Sequence, residues 1–72
     1  MDEHWRTLEA GLGSRLALER RKLQLTQELL AEVAGVTARS IKRYEAGEST
    51  MATDVVYRLA SAGVDMRFVL FR

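Results

Sequence analysis

The chain contains no cysteine, which removes disulfides, thiolate metal sites and cysteine nucleophiles together. That absence suits a reducing, cytoplasmic compartment. Proline is absent as well, and glycines number five. With apolar residues at helical spacing, this favours an all-helical chain. There is one histidine, and helical spacing fixes no carboxylate pair near it. No acid–base or nucleophilic constellation results, so neither enzyme activity nor a cofactor or metal is expected. Uninterrupted apolar runs last only a few residues, too short to span a membrane. The opening MDEHWRTLEA starts with acids and lacks the apolar core of a secretory leader.

What is present describes a small folded unit. Seventy-two residues bound one domain, near the lower end of what folds without a staple. Hydrophobic residues at 47% and charged residues at 29% exclude a disordered tail. The net charge of +1 does not announce a polyanionic partner, but its distribution is uneven. From Arg15 to Arg43 the cations are Arg15, Arg20, Arg21, Lys22, Arg39, Lys42 and Arg43, against Glu19, Glu28 and Glu32. Acids gather before this stretch (Asp2, Glu3, Glu9) and after it (Glu45, Glu48).

Punctuation along the chain gives the organisation. Residues 4 to 10 suit one or two helical turns before Gly11 and Gly13 loosen the backbone. Residues 1–13 are thus read as an N-terminal segment and residues 14–72 as the domain proper. Ser14 then caps a helix running to about Gln24, with Leu16 and Leu23 on its apolar side. Thr26 caps a second helix, QELLAEVA, striped by Leu29, Leu30 and Val33, with Glu28 opposing its positive end. Gly35 stops that helix. Val36 connects, and Thr37 caps the next helix at once. A link of about three residues forces a steep crossing, the geometry of a helix-turn-helix. Ala31 is small where the next helix must cross.

In that next helix Ile41 is the lone aliphatic anchor. Rotation of about 100° per residue puts Thr37, Ala38, Tyr44 and Glu45 within about 60° of it. Arg39 and Arg43 point away, and Ser40 and Lys42 flank. One face is buried and the other cationic. After Gly47 a polar loop, ESTMA, leads to a fourth helix, TDVVYRLASA, with Val56, Leu59 and Ala60 toward the core and Gly63 at its end. Asp65 caps a last turn, MRFVLFR. Val64 to Phe68 also alternates as a strand does, so helix and strand both stay open for residues 64 to 72. His4 reads as surface, and Trp5 as packing on the first helix or as part of a contact.

Thr26-Gln27, Ala31, Gly35-Val36, Ser40-Ile41 and Tyr44-Glu45-Ala46-Gly47 stand at a recurring relative spacing. From Ser14 to Leu70 the sequence resembles the phage repressor and Cro type of helix-turn-helix DNA-binding domain, the lambda-repressor-like family. The resemblance implies an all-α, compact five-helix bundle. It implies that the helix after Thr37 enters the major groove while the preceding helix lies across the backbone. Thr37, Ala38, Arg39 and Arg43 then face bases, arginine being suited to O6 and N7 of guanine. Thr26, Gln27, Ser40 and Lys42 face phosphates. Arg20 and Glu45 match positions that form a partly buried ion pair in relatives. Relatives also pair through the end of the bundle, which makes Phe68 and Phe71 candidates for a homodimer contact. The expected role is a sequence-specific transcriptional regulator, a repressor of prokaryotic or phage origin, on double-stranded DNA of the nucleoid. The alternatives are an antitoxin that also holds a toxin, a domain partnered with further C-terminal chain, and an interaction module that keeps the fold without DNA.

Overall fold

The computed structural model describes the backbone of residues 2–71 and the side chains of residues 11–71. The side chains of His4 and Trp5 lie outside the described set. Five helices follow in order: α1 (Asp2–Lys22), α2 (Gln27–Ala34), α3 (Ala38–Glu45), α4 (Thr53–Ser61) and α5 (Met66–Phe71). There is no strand among the described residues. The fold is an all-α five-helix bundle.

Among the described residues each helix contributes one large side chain that is fully buried: Leu16, Leu30, Ile41, Leu59 and Val69. Burying a residue of this size is worth about 1.5–3 kcal/mol, so these five anchor the bundle. Ala31, Ala34, Val55, Val64 and Met66 complete the same cluster. The ambiguity over residues 64 to 72 resolves as helix. Asp65 Oδ1 accepts the N–H of Phe68 at 3.1 Å, a side-chain cap that a strand does not use.

Helices α1 to α4 all stop in the same manner. A left-handed residue follows the helix, and the next N–H reaches back five residues to a carbonyl. These bonds are Leu25 to Arg20, Val36 to Ala31, Glu48 to Arg43 and Val64 to Leu59, at 2.9 to 3.0 Å. Glycine supplies the left-handed residue at 35, 47 and 63, whereas Gln24 supplies it after α1 with φ of 60°.

Several local expectations are corrected. Ser14 caps nothing, because α1 passes through Gly11, Gly13 and Ser14 without a break and ends at Lys22 rather than near Gln24. Gly13 is buried, and a Cβ there would lie 2.5 Å from Glu45 O and closer still to Tyr44 O. It is a point of close helix approach and not a breaker. Leu23, Leu29 and Val33 are substantially exposed. The inward stripe of α2 is Leu30, Ala31 and Ala34. Two alanines there let α3 approach, and they rotate Leu29 and Val33 off the contact. In α4 Val55 is buried with Leu59, while Ala60 is exposed and Val56 packs at the core margin.

Candidate nucleic-acid interface

The turn between α2 and α3 is built by short-range chemistry. Thr26 Oγ1 accepts the N–H of Leu29 at 3.0 Å and fixes the start of α2. Gly35 ends it with φ of 71°, a conformation that penalises any side chain. Arg58 of α4 closes the turn from outside, its Nη1 donating to Ala34 O at 3.4 Å. A Cβ on Gly35 would lie 2.6 Å from that nitrogen. Thr37 Oγ1 accepts the N–H of Ser40 at 3.1 Å and donates to Ser40 Oγ at 3.1 Å. The Thr37 hydroxyl is thereby satisfied inside the cap, while Ser40 keeps its own hydroxyl proton.

Helix α3 packs on α1 and α2. Ile41 is fully buried, Ala38 and Tyr44 pack at the core margin, and Arg39, Lys42 and Arg43 are exposed. The acid that ends α3 does not neutralise these cations, because it is engaged elsewhere. Arg20 Nε donates to Glu45 Oε2 at 2.7 Å and Arg20 Nη2 to Glu45 Oε1 at 3.2 Å, a two-point pair. The two side chains are only 13% and 9% exposed. Arg20 Nη1 also donates to Leu25 O at 3.0 Å, and Gln27 Nε2 donates to Glu45 Oε1 at 2.9 Å. Residues from α1, α2 and α3 thus meet on one carboxylate.

The arrangement therefore gathers Thr37, Ala38, Arg39, Ser40, Lys42 and Arg43 on α3 and its cap. Thr26 and Gln27 stand at the start of α2, and Arg20 and Glu45 lie behind. What such a surface can do is electrostatic: an outward cationic row on a rigid rod, with its one carboxylate turned inward. Among the described residues no group of three or more His, Cys, Asp or Glu converges as metal ligands do.

The other end of the molecule is held differently. Helix α5 packs on α1 and α4. Arg15 Nε is shared between Phe68 O and Val69 O, both at 3.0 Å. Glu19, buried to 4% exposure, accepts the N–H of Asp65 at 3.2 Å and Lys22 Nζ at 3.1 Å. Phe68 is half-buried and Phe71 is 76% exposed. Together with Asp65 and Arg67 they line a shallow open cleft.

A family model described as Helix-turn-helix matches residues 16–62. The chain belongs to this helix-turn-helix family. No curated protein and no solved structure matches it. Membership is of the Cro and repressor type, and the protein is a DNA-binding regulator of the helix-turn-helix kind. The matched region runs from Leu16 in α1 to just past α4, and α5 lies beyond it. No described helix is long and apolar enough to cross a membrane.

The structural roles of four residues that hold the bundle together are not legible in the sequence. Gly13 reads locally as a breaker because its reason, the end of α3, lies some thirty positions away. Arg15 and Glu19 looked like ordinary members of a charged stretch, although their four-residue spacing puts both on one side of α1. Arg58, on α4, gave no local sign that it would cover the turn at Gly35.

Proposed function

We propose that this protein is a sequence-specific transcriptional repressor that inserts α3 into the major groove. The observation that carries the reading is the exposure of Arg39 and Arg43 on the side of α3 opposite the buried Ile41, with the exposed Lys42 at its flank. In the proposed complex Arg39 and Arg43 reach base edges, with guanine the preferred partner of a planar guanidinium. Ala38 offers apolar contact, suited to a thymine methyl, and Thr37 meets the groove through its methyl. Ser40 and Lys42 meet phosphates. So do Thr26 and Gln27 at the start of α2, where helix geometry leaves N–H groups for an anion. Gln27 Nε2 has a second hydrogen for that purpose beyond the one on Glu45.

One half-site supplies too few contacts for tight, specific binding at physiological salt. A symmetric homodimer through α5 is therefore part of the proposal, with Phe71 and the exposed part of Phe68 as the self-contact. The exposure of Phe71 also favours a second reading, in which α5 holds a toxin and the protein is an antitoxin. Binding to a mixed-sequence duplex at stepped salt tests the DNA reading. Log K should fall by roughly 0.9 per phosphate contact for each unit of log salt. An affinity independent of salt would end it. Sedimentation on a two-half-site duplex should give two chains per duplex, and a strict monomer both free and bound would remove the homodimer.

A further inference from the structure

We infer that Gln27 is a positioning residue that sets sequence selectivity from behind the reading helix, without needing a base contact of its own. The inference rests on the DNA-reading role proposed for α3. Helix α3 has eight residues and one fully buried side chain, Ile41. A single anchor of that kind holds depth but leaves rocking about itself. The far end of the rod is fixed by Glu45, and Glu45 is held from two directions. Arg20 of α1 grips both of its oxygens, at 2.7 and 3.2 Å. Gln27 of α2 takes Oε1 at 2.9 Å. One donor helix fixes the carboxylate relative to α1, and the second fixes it sideways relative to α2.

The lever is long enough to matter. Arg39 lies two residues from Ile41, about 3 Å along a helix rising 1.5 Å per residue, and Glu45 lies about 6 Å the other way. A tilt of roughly 10° about Ile41 would carry the Arg39 backbone by about 0.5 Å. Hydrogen bonds to base edges tolerate only a few tenths of an ångström before weakening. Contacts to phosphates through flexible cations absorb such a shift far better. Loss of the Gln27 bond should therefore reduce discrimination between sequences more than it reduces binding as such.

The chemistry of the side chain fits this task. The amide N–H adds a second grip to Glu45 beside the two bonds from Arg20. A carboxylate at 27 would repel Glu45. The backbone at Gln27 is secured independently, by the Thr26 cap on Leu29 and by the bond from Leu30 N to Thr26 O at 3.0 Å. Removing the amide thus loosens the grip on α3 and leaves α2 intact.

The test uses the full chain and two probes: the duplex that the wild-type protein selects from a random pool, and a scrambled duplex of equal composition. Gln27→Met keeps the length of the side chain and removes the donor. It should lower the ratio of the two affinities by about tenfold, the size of one hydrogen bond to a charged acceptor. Affinity for the scrambled duplex should fall only by what the one phosphate contact proposed for Gln27 is worth, and by clearly less than affinity for the selected duplex falls. Gln27→Lys restores a donor within reach of Glu45 and should recover most of the ratio. A general gain in charge does not do so, because it raises both affinities together. An unchanged ratio in Gln27→Met overturns the inference, as does an equal loss on both probes, which would make Gln27 a phosphate ligand only. If Gln27→Met does not fold, a Gln27→Lys protein that binds both probes tightly but without selectivity overturns it equally. If the wild type selects no duplex, the DNA-reading role fails and this inference with it. That outcome is distinct from a selective wild type whose ratio the variant leaves untouched.

Discussion

Gly13 of α1 stands directly against the backbone of Glu45, so that a Cβ at position 13 would lie 2.5 Å from the Glu45 carbonyl oxygen. The end of the reading helix and the middle of α1 touch through bare backbone. Arg20, two turns further along α1, grips the Glu45 side chain. Backbone contact and ion pair together join α1 to the C-terminal end of α3.

Gly13→Ala is therefore expected to destabilise the protein, although alanine is the better helix former. Propensity favours alanine by about 1 kcal/mol. Overpacking against a fixed backbone costs about 1–3 kcal/mol and should win, because neither carbonyl can swing away as a flexible side chain could. Urea unfolding should show a lower midpoint with an unchanged slope. A midpoint equal to or above the wild type would mean that α1 and α3 stand further apart.

Arg20→Ala should cost far more stability than Arg39→Ala. The first leaves the poorly exposed Glu45 carboxylate without its two-point partner, a loss of about 3–5 kcal/mol. The second removes a solvated side chain and should stay within about 0.5 kcal/mol. Thermal melts of the two variants side by side decide the matter, and small equal shifts would contradict the pairing.

Gln24→Gly should stabilise. Gln24 occupies the left-handed region with φ of 60° at the end of α1, where the other three such positions carry glycine. The left-handed conformation costs an ordinary residue about 1–2 kcal/mol, of which glycine's greater unfolded-state entropy returns a part. A net gain of about 0.5–1 kcal/mol is expected, read as a rise in melting temperature. A fall would show that the Gln24 side chain contributes more than its backbone costs.

Much of this architecture was legible because it is local. Gly35 followed by Val36 and the Thr37 cap marks a tight turn within a few positions, and Ile41 among polar neighbours marks which side of α3 is inward. Asp65 offers a cap three residues ahead of the N–H it takes, while the alternation from Val64 to Phe68 keeps a strand open until the structure closes it. What escaped depends on partners distant in the chain. Gly13 reads as a breaker until the end of α3 is seen against it. Leu29 and Val33 look like the core stripe of α2, but Ala31 and Ala34 hold that place, since close helix approach rewards small side chains over large ones. Glu19 gives no sign of burial because the partner that holds it from the α5 side is a backbone N–H, at Asp65, and backbone groups are the same at every position. Among the proposed contacts, the cationic face of α3 follows from periodicity, while the grip of Gln27 on Glu45 needed the relative placement of α2 and α3.

Specific recognition requires α3 to read bases through its exposed cations, and selection of duplexes from a random pool by wild-type, Arg39→Ala and Lys42→Ala proteins tests this most directly. Arg39→Ala is expected to relax the preference at one base pair per half-site, with a loss there of about 1–3 kcal/mol of discrimination. Lys42→Ala is expected to weaken binding to all sequences alike and to leave the selected motif unchanged. A motif identical in wild-type and Arg39→Ala selections, at equal affinity, would show that Arg39 reads no base.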